Sequence, residues 1–102
     1  MTKHRVADLN DIAVGELKRV DVDGVPICLA RLDDDAVCAI NDTCTHEYTS
    51  LSDGELYQGS VSCPLHGSLF DVRTGKVTGM PADIPVATYK VSVDDGGIFV
   101  EV

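Results

Sequence analysis

Two short motifs hold the residues whose types and spacing are most able to do chemistry. Cys44-Thr45-His46 is followed by Cys63-Pro64-Leu65-His66, with residues 47–62 between them. Each motif offers one soft thiolate and one borderline imidazole, a donor set suited to zinc or to iron with sulfide. A single tetrahedral zinc would take all four donors on one ion. A mixed two-iron, two-sulfide cluster would take both thiolates on one iron and both imidazoles on the other. Zinc sites more often repeat like ligands within a loop, whereas here each loop carries one Cys and one His. In that arrangement each loop clamps both irons. Zinc also accepts these four ligands, so spacing leaves both readings open. A nucleophilic pair of Cys44 with His66 is a third reading. It leaves two ligands unexplained and has no substrate cleft in so short a chain.

The elements that must position these motifs read as strands. At 102 residues the chain is expected to be one domain, residues 1–102. Leu17, Val20 and Val22 lead to Asp23-Gly24, a hairpin turn of the kind that needs positive φ. Val25 to Leu32 is apolar on both faces, as in a strand buried on both sides. Asp33-Asp34-Asp35 reads as a charged turn before Ala36–Ile40. Near the C-terminus Tyr89, Val91 and Val93 alternate with Thr88, Lys90 and Ser92, and Asp94-Asp95-Gly96-Gly97 turns them into Ile98–Val102. No stretch of ten residues has a helical period, and Ala7–Val14 allows one helical turn at most. The expected fold is all-β. An antiparallel sandwich or barrel base, from about 1–40 and 84–102, carries a loop-rich insert at about 41–83. Large aliphatic residues thin out in that insert, so it needs a staple such as a metal.

Charge narrows the partners. Seventeen acidic residues against eight basic ones give a net charge of −9. Duplex binding needs cations to displace phosphate counterions, so nucleic acid and anionic lipid are not expected partners. No apolar run approaches the roughly 20 residues of a membrane span, and the N-terminus has no apolar signal region. A cytoplasmic protein is expected, and in that reducing compartment four cysteines read as metal ligands or buried apolar residues. Cys28 and Cys38, inside apolar runs, read as core. His4 reads as solvated at a frayed N-terminus.

The paired motif, extended through Gly67-Ser68, Phe70-Asp71 and Thr74-Gly75, resembles the Rieske iron–sulfur domain over nearly the whole chain. Without a membrane anchor or catalytic domain, the resemblance is to the small ferredoxins of bacterial aromatic ring-hydroxylating dioxygenases, such as the biphenyl and carbazole systems. It implies one two-iron, two-sulfide cluster held by Cys44, His46, Cys63 and His66, with Pro64, Gly67, Ser68 and Pro81 around them. It also implies a one-electron carrier, itself no enzyme, between a flavin-containing ferredoxin reductase and a terminal oxygenase. Both contacts would be transient, and a monomer is expected. The alternatives of the same kind are a Rieske subunit of another system, such as a nitrite reductase; a structural zinc module is the alternative of a different kind. Glu47, Tyr48, Leu65, Met80 and Pro81 would rim the exposed imidazoles. Met80-Pro81 would be either a third loop over the cluster or an ordinary turn.

Departures from respiratory members carry information. The disulfide between their cluster loops falls here on Thr49 and Leu65, so this chain does not form it. Their Ser and Tyr donors to the cluster sulfurs fall on Ser68 and Phe70, so only the Ser68 hydroxyl is kept. Donors to sulfur stabilise the more negative reduced cluster. The missing donor and the surrounding acids, Asp42 among them, imply a low potential, roughly −150 mV.

Overall fold

The computed structural model describes residues 2–34, 36–45, 49–65, 67–80 and 82–102. Among these, two antiparallel sheets account for nearly all regular structure. The base sheet contains β1 (Lys3–Asp8), β2 (Leu17–Val22), β3 (Val25–Arg31), β4 (Val37–Asn41), β9 (Thr88–Asp94) and β10 (Gly97–Glu101). Its order is β1-β10-β9-β4-β3-β2, and the two outer strands approach each other, so the sheet curls into a nearly closed barrel. The second sheet has three-residue strands β5 (Glu55–Tyr57), β6 (Ser60–Ser62), β7 (Leu69–Asp71) and β8 (Val77–Gly79), in that order. Among the described residues the helical content is two single 3₁₀ turns, Leu9–Asp11 and Leu51–Asp53. Among the described residues no helix is long and apolar enough to cross a membrane.

Turn chemistry sets the hairpins. Asp23 and Gly24 have φ of 51° and 82°, Asp95 and Gly96 of 51° and 77°, and Gln58 and Gly59 of 48° and 82°. Each pair closes a two-residue hairpin in the left-handed conformation that matches strand twist. The Asp33 carboxylate accepts the Ala36 N–H at 2.8 Å, which fixes the turn between β3 and β4.

The core is divided by β3. Ile27, Cys28, Leu29 and Ala30 are all fully buried, the two-faced burial expected of Val25–Leu32. Ile27 and Leu29 join Ile12, Val22, Ala39, Ile98 and Val100 inside the base. Cys28 and Ala30 point the other way, into a cluster with Ile40, Leu51, Val61, Phe70 and Val72. Strand β4 splits alike, Ala39 to the first cluster and Ile40 to the second. The insert's few apolar side chains therefore complete their core on the back of the base.

One strand lacks a sequence signal, and two expectations change. β1 carries no alternating apolar pattern, yet it pairs with β10 in the register Lys3↔Glu101, His4↔Val100, Arg5↔Phe99, then shifts at Val6 to Ala7↔Ile98. Lys3 Nζ lies 5.1 Å from the Phe99 ring centroid, and Arg5 pairs with Asp8, so a charged segment becomes an edge strand. His4 is accordingly not frayed: its Nε2 is buried, 3.5 Å from the Asp23 carboxylate. Cys38, unlike Cys28, is only partly buried.

Among the described residues Phe70 is the largest fully buried side chain, and it sits where both sheets meet. Phe70→Ala is expected to cost about 3–5 kcal/mol in denaturant unfolding; a loss under about 1 kcal/mol would contradict that packing role. Burial, reinforced by the Asp42 carboxylate, pushes the Cys28 thiol from 9.0 up to about 12. The unfolded chain releases this proton near pH 9 and the folded chain holds it to about 12. Its contribution to stability is therefore complete below that range and lost as pH rises through it. The unfolding midpoint should fall more steeply across that range in the native sequence than in Cys28→Ala, and parallel falls would contradict the assignment.

Candidate metal centre

The two cysteine motifs are built to one plan. Cys44 N–H donates to the Thr49 carbonyl at 2.9 Å, and Cys63 N–H donates to the Ser68 carbonyl at 2.8 Å. Each loop thus opens with its Cys and closes on the carbonyl five residues later. Below the first loop, Thr43 bridges Ser50. Below the second, Ser62 pairs with Leu69 across β6 and β7. Gly67, at φ 75°, lets the second loop turn back, and its N–H donates to the Cys63 carbonyl at 3.0 Å. His46 and His66 lie within these loops in sequence and fall outside the described residues.

Three contacts join the loops to one another and to the segment after β8. Thr49 Oγ1 lies 3.2 Å from Cys63 Sγ, so the residue that closes the first loop touches the cysteine of the second. Thr45 Oγ1 donates to the Ile84 carbonyl at 2.6 Å. The Ala82 N–H donates to Ser68 Oγ at 3.0 Å, with both residues buried. The segment 82–84 is thereby tied to both cysteine loops. That favours a third loop at this end over an isolated turn, although Pro81 itself lies outside the described residues. Cys44 and Cys63 are buried in one core cluster. Two sulfurs at the starts of matched loops, one within reach of a hydroxyl, form a donor set that suits a thiolate-ligated metal group.

The stem of the first loop is held by a charge that composition alone places incorrectly. Asp42, one of the acids counted around the site, is only 1% exposed. Its Oδ1 accepts the Ser52 N–H at 2.8 Å, and its Oδ2 lies 3.5 Å from Arg19 Nη1, which also donates to Ser50 Oγ at 3.0 Å. Arg19 from β2 therefore offsets the Asp42 charge locally, and the acid acts as a loop clamp. Asp71 is similarly occupied, accepting the Arg73 and Thr74 N–H groups. Phe70 is wholly buried in the second core, so no hydroxyl stands at that position.

The outer surface at this end is apolar. Leu65, Met80 and Ile84 are 57%, 85% and 58% exposed. Leu65 and Met80 were expected on such a rim; Glu47 and Tyr48 lie outside the described residues. Ile84 has no motif that would single it out; the Thr45 bond to its carbonyl and the Ala82 bond to Ser68 bring it here. The reach of Thr49 to Cys63 is likewise not readable from the sequence, since residues 50–62 separate the two along the chain.

Comparisons with known proteins resolve the choice of metal group. A family model for the Rieske [2Fe-2S] domain matches residues 2–90. The 3-phenylpropionate/cinnamic acid dioxygenase ferredoxin subunit of Escherichia coli is 40% identical over 92 residues, covering 89% of this chain and 85% of that one. The ferredoxin of carbazole 1,9a-dioxygenase from Nocardioides aromaticivorans superposes with a TM-score of 0.93 at 38% identity, over 98% of this chain and 97% of its own. A chain in the solved complex of reduced oxygenase and oxidized ferredoxin in carbazole 1,9a-dioxygenase superposes with a TM-score of 0.91 at 34% identity, covering 96% of this chain and all of that one. The zinc reading that spacing left open therefore gives way: this chain belongs to the Rieske [2Fe-2S] domain family, and its cofactor is one Rieske-type two-iron, two-sulfide cluster.

Proposed function

We propose that this protein is a one-electron carrier that takes electrons from a flavin-containing ferredoxin reductase and delivers them to the Rieske centre of a terminal aromatic-ring oxygenase. Cys44 and Cys63 as thiolates, with His46 and His66 as imidazoles, would hold the cluster. Pro64, Gly67, Ser68 and Pro81 shape the loops around them. The cluster, when bound, supplies a single-electron redox couple. The observation that carries this reading is the matched closure of the two cysteine loops and their junction through Thr49.

The chain's own residues account for the rest of a carrier's work. Burial of Cys44 and Cys63 keeps solvent from their sulfurs. Leu65, Met80 and Ile84 present a small apolar face, suited to brief contacts that bury little area. The net charge of −9 steers encounter toward basic patches on partners without holding them there. No bond in an organic substrate is made or broken. The protein works as a cytoplasmic monomer, residues 1–102 forming one domain in which about 41–83 holds the cluster. It engages neither nucleic acid nor membrane.

The test is the EPR spectrum of dithionite-reduced protein, with iron and zinc measured on the same sample. Two irons per chain and a rhombic signal averaging below the free-electron g value are expected. A colourless, EPR-silent protein holding one zinc would sink the carrier reading. Ser68 provides a second test. Its hydroxyl accepts from Ala82 and retains a proton that it would donate to a sulfide of the bound cluster. Ser68→Ala should lower the reduction potential and cost about 1–3 kcal/mol, because the buried Ala82 N–H loses its acceptor. An unchanged potential would remove the sulfide contact.

A further inference from the structure

We infer that Thr49 is a positioning and tuning residue, whose hydroxyl donates a hydrogen bond to the Cys63 sulfur and raises the reduction potential of the bound cluster. The inference rests on the assignment of Cys63 as a thiolate ligand. Thr49 Oγ1 and Cys63 Sγ are 3.2 Å apart, within the range of a hydrogen bond to sulfur. As thiol and hydroxyl, either atom can donate; once Cys63 is an iron-bound thiolate it has no proton, and the hydroxyl is the donor. Charge-assisted donation of this kind is stronger than a neutral bond. The cluster is more negative when reduced, so the bond tightens in that state and favours reduction. Phe70, in the same core cluster as Cys63, is a fully buried ring and carries no hydroxyl. The hydroxyl within reach of the Cys63 sulfur is thus supplied from the first loop, by Thr49.

The side chain is separable from loop closure. The first loop is shut by the Thr49 carbonyl, which accepts the Cys44 N–H at 2.9 Å, and this backbone bond survives any side-chain replacement that keeps the fold. Thr49→Val is nearly isosteric and removes only the hydroxyl, whereas Thr49→Ser keeps the hydroxyl and drops the methyl group.

The experiment is a redox titration of the holoprotein, followed by EPR, for the native sequence, Thr49→Val and Thr49→Ser. Thr49→Ala is a second hydroxyl-free variant should the valine form load poorly. The hydroxyl-free variants should keep two irons and the rhombic signal. At a fixed poise their reduced-to-oxidised ratio should fall roughly three- to tenfold, about 30–60 mV at 59 mV per decade. Thr49→Ser should lie close to the native value. A native potential in a loaded hydroxyl-free variant would overturn the inference and leave the ligand assignment standing. So would a fall in Thr49→Ser as large as in Thr49→Val, because the loss would then follow packing and not the hydroxyl. Absence of iron and of the rhombic signal in the native protein itself would instead overturn the ligand assignment, and this inference with it.

Discussion

Burial of one strand on both faces is the constraint from which the rest of the molecule follows. β3 sends Ile27 and Leu29 into the base and Cys28 and Ala30 into the core beneath the cysteine loops. A sheet of three-residue strands has too little apolar surface to stand alone. Leu51, Val61, Phe70 and Val72 gain a partner surface because the outer face of β3 and β4 is apolar as well. The insert is thus an outgrowth of the base core, and anything that loosens β3 loosens the floor on which the cysteines sit.

On that floor, backbone bonds set the frame of the site. Both loops close from their Cys N–H to a carbonyl five residues ahead, which sets their size independently of what they hold. The fixed frame then extends outward through side chains. Arg19 and Asp42 clamp the stem of the first loop to β2, Ser68 holds Ala82, and Thr45 holds Ile84. A carrier benefits from such a frame, since ligands that scarcely move between oxidation states add little reorganisation to electron transfer. The hydroxyls of Thr45, Thr49 and Ser68 do this with neutral groups, which brings no further charge to a chain already at −9.

The same end of the molecule separates two tasks that a shuttle must combine. Charge is spread over the surface and acts at a distance, whereas the exposed Leu65, Met80 and Ile84 act only on contact. A small apolar rim of that kind suits contacts that bury little area. The balance differs from that of an obligate interface, where larger apolar area holds the partners together.

What the sequence by itself determined is everything local. The alternation of β9, the two-faced run of β3 and the Asp-Gly or Gln-Gly pairs at three hairpins are each set by a few adjacent residues and their φ preferences. The donor types are equally local, since two cysteines and two histidines at that spacing already restrict the metal chemistry. Tertiary structure alone decided the contacts between segments distant in sequence. β1 becomes a strand because β10 offers it an open edge, not because Lys3–Asp8 has a strand's pattern. Asp42 loses its role as a free surface charge because Arg19 arrives from another hairpin. Ile84 joins the rim because Thr45 and Ser68 hold segment 82–84, and Thr49 meets Cys63 because the shared core beneath brings the two loops together. Periodicity and turn chemistry act over a few residues; which loop end reaches which sulfur depends on packing summed over the whole chain.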